Sequence, residues 1–134
     1  MADMQQIYIC IGSNEPDAMA RVKEASNALE SKLTDAHICG PYRTLPYPPA
    51  PADGPVYANA VVSGRTELSL EAVKTWLKET ESNLGRRAGH KNSGKVVIDL
   101  DIVVYGNEIC RFGEFEADYF RHGYEILLSK KPDR

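Results

Sequence analysis

Hydrophobic patterning along the 134 residues predicts an α+β fold whose elements run β-α-β-β-α-β. Three observations carry that reading. Short β-rich runs bounded by turn residues stand at 5–12, 36–44, 56–66 and 95–106. Two stretches between them change to apolar spacings of three and four, the helical period. The composition, 43% hydrophobic and 26% charged, is that of an ordinary globular chain, and the length suits one domain over 1–134.

"QIYICIG" closes on Gly12, Ser13 and Asn14, a turn signal, and reads as the first strand. Over 16–33, Ala18, Val22, Ala25, Leu29 and Leu33 form one helical face, with Asn14 expected as N-cap and Pro16 and Asp17 in the first turn. "AHICGPYRT" is a second strand, interrupted near Gly40 and Pro41. "LPYPPAPADGPVY" holds five prolines in thirteen residues, a stiff long loop of the kind that usually carries function. "VYANAVVSGRT" is the third strand. Over 67–84, Leu70, Val73, Trp76, Leu77 and Leu84 share a helical face, with Ser69 as cap and Trp76 expected in the core. "GRRAGHKNSGK" is a polar loop with three glycines and four Lys/Arg, and "KVVIDLDIVVYG" follows as the fourth strand. The tail is expected to hold a short strand near 125–128. This order is the ferredoxin-like one, an antiparallel sheet with two helices on one face.

The formal net charge of −3 lacks the basic excess of a broad nucleic-acid surface. An RNA-binding module of this topology would want aromatics on its central strands, where this chain has aspartates. No run approaches the roughly 18 apolar residues of a membrane helix, and no signal peptide is visible at the start. Cys10, Cys39 and Cys110 are odd in number and far apart; they read as small hydrophobes in a reducing, cytoplasmic setting.

Within the fourth strand stand Asp99 and Asp101. Residues two apart point to the same face, with Cα atoms about 6.5 Å apart. Ile98, Leu100, Ile102 and Val104 are expected on the opposite face. Paired carboxylates suit Mg²⁺, which takes hard oxygens from one or two carboxylates plus phosphates and water. The bland alternative is a solvated polar face.

The loop before this strand brings Arg86, Arg87, Lys91 and Lys95, a cationic clamp for polyphosphate or, more blandly, a solvated basic hairpin. "GHKNSGKV" imitates a phosphate-binding P-loop but ends on Val96 in place of a hydroxyl. It also follows a helix and opens a strand, the reverse of what a P-loop requires, so that reading is rejected. His37 and His90 read as polar neighbours, and Tyr42 as either strand packing or pocket wall.

Four pieces together, "IGSN", "YRTLP", "YANAVV" and "IDLDIVVYGNE", resemble the hydroxymethyl-dihydropterin pyrophosphokinases of folate biosynthesis, in order and spacing over roughly residues 5–128. The resemblance implies transfer of the pyrophosphate of ATP to the hydroxymethyl group of a dihydropterin, releasing AMP. It implies that Asp99 and Asp101 bind two Mg²⁺ ions, with Arg86 as a further catalytic group. Lys95, one residue from the place of a usual arginine, is expected to stand in for it in part as a catalytic group, helped by Lys91 and Arg87. Thr44, Leu45, Pro46, Tyr47, Tyr57, Asn59 and Tyr124 would form the pterin pocket. Glu81, Arg86, Arg87, Lys91, Lys95 and His122 would face ATP.

The sequence also departs from that family. Val96 stands where a catalytic arginine is usual, Ser93 replaces a loop tryptophan, and Ala88 replaces a second arginine. "FEA" at 115–117 replaces a run that supplies a histidine and a tyrosine near ATP, and His122 stands in an arginine's place. The pattern therefore implies a short, divergent member whose activity is expected to be reduced. The alternative is a paralogue that binds pterin or nucleotide without efficient transfer. No nucleic-acid or membrane partner is expected.

Overall fold

The computed structural model describes residues 3–44, 57–87 and 98–129. Its elements are β1 (Gln5–Ser13), α1 (Ala18–Glu30), β2 (Thr34–Thr44), β3 (Tyr57–Thr66), α2 (Leu70–Arg87), β4 (Asp99–Tyr105), β5 (Glu108–Ile109), α3 (Phe112–Phe115) and α4 (Asp118–Ser129). The five strands form one antiparallel sheet in the order β2-β3-β1-β4-β5. The expected β-α-β-β-α-β order is present, with β5, α3 and α4 added behind it.

Alternation along β1 divides the core in two. Ile7, Ile9 and Ile11 pack with Ala58, Ala60, Val62, Leu100 and Ile102 beneath the apolar faces of α1 and α2. Each of those fully buried isoleucines contributes roughly 1.5–3 kcal/mol. Tyr8 and Cys10 point the other way and pack with Val61, Val103, Phe120 and Leu127. Trp76 lies partly buried against the first cluster. No helix among the described residues is long and apolar enough to cross a membrane.

Several elements differ from the sequence reading. The strand expected near 125–128 is the end of α4. Phe120, Gly123 and Leu127 recur at three and four and are its buried residues, so the helical period outweighs the β-prone Tyr124 and Ile126. α4 covers the sheet face that the simple two-helix scheme leaves bare. The N-cap of α1 is Asp17 rather than Asn14; its carboxylate makes no cap bond and instead accepts from Arg21 Nε at 2.9 Å. Leu33 lies beyond α1 but still packs on the core, close above Gly64. Ser69 does cap α2, its hydroxyl accepting from Ala72 N–H at 3.1 Å. The interruption of β2 falls where expected, with the register shifting between Cys39 and Tyr42 around a cis Gly40–Pro41 bond.

Candidate active site

β4 does present Asp99 and Asp101 together, opposite Leu100 and Ile102, which lie in the helix-covered core. Val104 does not stay with them. A bulge shifts the register between Tyr8 and Ile9, so Val103 and Val104 both fall on the aspartate face and Tyr105 turns toward the helices. β5 pairs only with Val104 and Tyr105. Among the described residues the Asp99–Asp101 half of β4 is therefore an open edge.

The surroundings of the pair are acidic. Asp101, with its side chain 19% exposed, has its pKa pushed up to about 7 by burial, then by Glu114 and Asp99, against the pull of Arg111. Glu81, on α2, accepts from Leu100 N–H at 2.7 Å and lies 3.7 Å from Lys78. Burial raises the Glu81 pKa; the Leu100 N–H opposes that, and Asp99 reinforces it. From the far side, Arg111 donates through Nε to Glu114 Oε1 at 2.8 Å while its Nη1 stands 3.9 Å from Asp101 Oδ1. Tyr119 O–H donates to the other oxygen of Glu114 at 3.2 Å. Between α2 and β4, Arg111, Lys74, Lys78, Asp101, Ile102 and Cys110 line a cleft of ≈ 300 Å³.

Strand pairing relates this end of β4 to the expected pterin residues. Tyr42 pairs with Asn59, Asn59 with Gly12, and Gly12 with Asp99, so the four share one transverse row and one face. Two strand spacings, about 9.6 Å, separate the Asn59 and Asp99 backbones. The position between them is a glycine, where a Cβ would stand 2.9 Å from Asn59 Nδ2. Asn59 is buried, donates to Ile11 C=O at 3.1 Å and accepts from the Thr44 hydroxyl, tying the ends of β1, β2 and β3 together.

The remaining expected residues are dispersed. Tyr57 lines a cavity of ≈ 640 Å³ with Arg43, Glu15 and Met19. Tyr124 sits in an aromatic cluster, stacked on Phe120 at 5.1 Å and edge-on to Tyr8 and Phe115, with the Arg121 guanidinium 5.5 Å above its ring. His122 packs edge-on against Tyr42 at 4.7 Å and borders an open groove with Phe115 and Arg121. Arg86 and Arg87 fall in the last turn of α2. Leu45, Pro46, Tyr47, Lys91 and Lys95 lie outside the described residues. Sequence reasoning missed Arg111, Glu114, Tyr119 and the α2 lysines. The Arg-x-x-Glu spacing in "RFGEF" could have paired the first two with each other, but nothing in it relates them to Asp101.

Among the described residues no three His, Cys, Asp or Glu side chains converge to hold a metal ion. Asp99 and Asp101 alone fit a different arrangement: two carboxylates at an open edge are the donor set Mg²⁺ uses when phosphates and water complete its shell.

The family model for 7,8-dihydro-6-hydroxymethylpterin-pyrophosphokinase matches residues 8–126. The 2-amino-4-hydroxy-6-hydroxymethyldihydropteridine pyrophosphokinase of Haemophilus influenzae is 35% identical over 125 residues, covering 90% of this chain and 76% of that protein. The mitochondrial folate synthesis bifunctional protein of Arabidopsis thaliana is 32% identical over 104 residues, which are 75% of this chain and 18% of that protein.

Proposed function

The chain belongs to the 7,8-dihydro-6-hydroxymethylpterin-pyrophosphokinase family, and from that premise we propose that it transfers pyrophosphate from ATP to 6-hydroxymethyl-7,8-dihydropterin, releasing AMP in folate biosynthesis. The observation that carries this reading is the shared row of Asn59, Gly12 and Asp99 on one sheet face. Asn59 has a second amide hydrogen and a second lone pair beyond those it spends on Ile11 and Thr44, so its edge can read a pterin. With no Cβ at Gly12 the Asn59 amide lies close against β1, and a flat ring read by its outer edge would extend toward Asp99, bringing its hydroxymethyl group to the carboxylate end.

There Asp99 and Asp101 would hold Mg²⁺, two ions when ATP is bound. Bound Mg²⁺ neutralises phosphate charge and lowers the pKa of a coordinated hydroxyl. Glu81 fixes the start of β4 through Leu100 N–H and so orients both aspartates. Lys74, Lys78 and Arg111 give the cleft between α2 and β4 the positive lining a nucleotide requires. Thr44, Tyr57 and Tyr124, with Leu45, Pro46 and Tyr47, complete the pterin side; Arg86, Arg87, Lys91, Lys95 and His122 complete the ATP side. Turnover is slow, because Val96 leaves the usual loop arginine absent and lysine lacks its bidentate fork. A reducing, cytoplasmic setting suits Cys10, Cys39 and Cys110, which form no disulfide among the described residues.

Calorimetric titration with a non-hydrolysable ATP analogue tests the binding half. Binding that requires Mg²⁺ and is lost in Asp101→Ala supports the assignment. Binding indifferent to Mg²⁺ and to that substitution refutes the metal role. Pterin affinity with no AMP formation would replace the kinase by a binding paralogue.

A further inference from the structure

Arg111 stands between two carboxylates with one charge to share. Its Nε is committed to Glu114 at 2.8 Å, whereas its Nη1 makes only a loose contact with Asp101 at 3.9 Å. The Glu114 side chain is 11% exposed and is held by the Tyr119 hydroxyl, so it is a fixed post. The Arg111 side chain is 56% exposed and borders the cleft between α2 and β4, so its outer nitrogens have room to turn. Burying Glu114 close to Asp101 costs free energy that a single shared guanidinium offsets only in part. Such a carboxylate is explicable if its task is to tether the arginine rather than to neutralise it.

We propose that Glu114 is a positioning residue that tethers Arg111 as an exchangeable counter-ion of Asp101, released toward the nucleotide phosphates when a divalent cation takes its place. This rests on the reading of Asp99 and Asp101 as the cation site. Cation and nucleotide binding are then coupled through one side chain. With the site empty, Arg111 competes with the cation for Asp101. With the cation bound, Nε stays on Glu114 while the outer nitrogens face the cleft that Lys74 and Lys78 also line. Because the pivot is the Nε bond, the guanidinium swings without leaving its tether.

The two roles of Arg111 predict effects of opposite sign, which a purely structural residue would not produce. Titration of Mn²⁺ alone, followed by a non-hydrolysable ATP analogue with Mg²⁺, separates them. In Arg111→Ala, Mn²⁺ alone binds about threefold more tightly because its competitor is gone. In the same variant the nucleotide analogue binds about tenfold more weakly because a charge-assisted contact is lost. Glu114→Gln, checked for folding by circular dichroism, frees Arg111 to settle on Asp101 and weakens Mn²⁺ binding. Tyr119→Phe does the same to a smaller degree. Unchanged or weaker Mn²⁺ binding in Arg111→Ala overturns the counter-ion role, and unchanged nucleotide affinity overturns the release. If the unaltered protein binds neither Mn²⁺ nor the Mg²⁺-nucleotide, the assignment of the aspartate pair itself has failed. Normal binding by the unaltered protein with all three variants indifferent defeats the Arg111 exchange and its tether and leaves the assignment of the aspartate pair standing.

Discussion

Asp101 is tolerated in the native protein at a measurable cost. Its folded pKa of about 7 lies above the unfolded carboxylate value near 3.9, so the native state holds the proton more tightly. The contribution of Asp101 to cation-free stability is therefore fully present below about pH 4 and lost as pH rises through about 7. Asp101→Asn removes that slope. It raises the thermal midpoint at pH 8 by roughly 5 °C and leaves it nearly unchanged at pH 4, as melts in chelator would read. A lower midpoint at pH 8 would mean that the contact with Arg111 outweighs the cost of burial and of the neighbouring carboxylates. Asn59 behaves in the opposite way. It is buried and bridges Ile11 and Thr44, so Asn59→Ala leaves polar groups unpaired and costs about 2 kcal/mol in denaturant unfolding. Pterin affinity falls with it. Glu81→Gln keeps an acceptor for Leu100 N–H and is far milder than Glu81→Ala, which orphans that donor.

At the scale of elements, the placement of α4 decides what the aspartate face can do. The helix docks through the Tyr42 hydroxyl, which donates to Tyr119 C=O at 2.6 Å, and through Gly123, which lets the backbone approach the sheet. A Cβ at position 123 would lie 2.7 Å from Val61 Cγ2 and 2.8 Å from Tyr42 Oη. Gly123→Ala therefore pushes α4 outward and costs roughly 1–3 kcal/mol despite alanine's better helix propensity. Tyr42→Phe removes only the hydrogen bond and costs about 1 kcal/mol. Urea midpoints of the two variants separate the terms; a more stable Gly123→Ala would show that the close approach is not required. Helix α4 was hard to foresee because Tyr119, Phe120, Tyr124 and Ile126 are β-prone, and only the spacing of Phe120, Gly123 and Leu127 carries the helical period.

For the whole molecule, the division of the sheet into a face packed by α1 and α2 and an opposite face bearing the two aspartates was legible in the sequence. The isoleucines of β1 alternate with Tyr8 and Cys10, and Asp99 and Asp101 alternate with Leu100 and Ile102. The bulge at Val103 was not legible, because a run of valines reads the same on either face. Nor was the Arg111–Glu114–Tyr119 chain, since the approach of Glu114 to Asp101 depends on how α3 and α4 fold back over β4. Pairing across the sheet brings Asn59 and Asp99 into one row although forty residues separate them in the chain, and local pattern holds no such information. AMP release from ATP, with Mg²⁺ and 6-hydroxymethyl-7,8-dihydropterin, by the unaltered protein and by Asp101→Ala decides whether the aspartate pair serves the transfer. Slow AMP formation that needs both pterin and Mg²⁺ and disappears in the variant is expected. AMP formation without pterin, or at an equal rate in Asp101→Ala, would contradict that role.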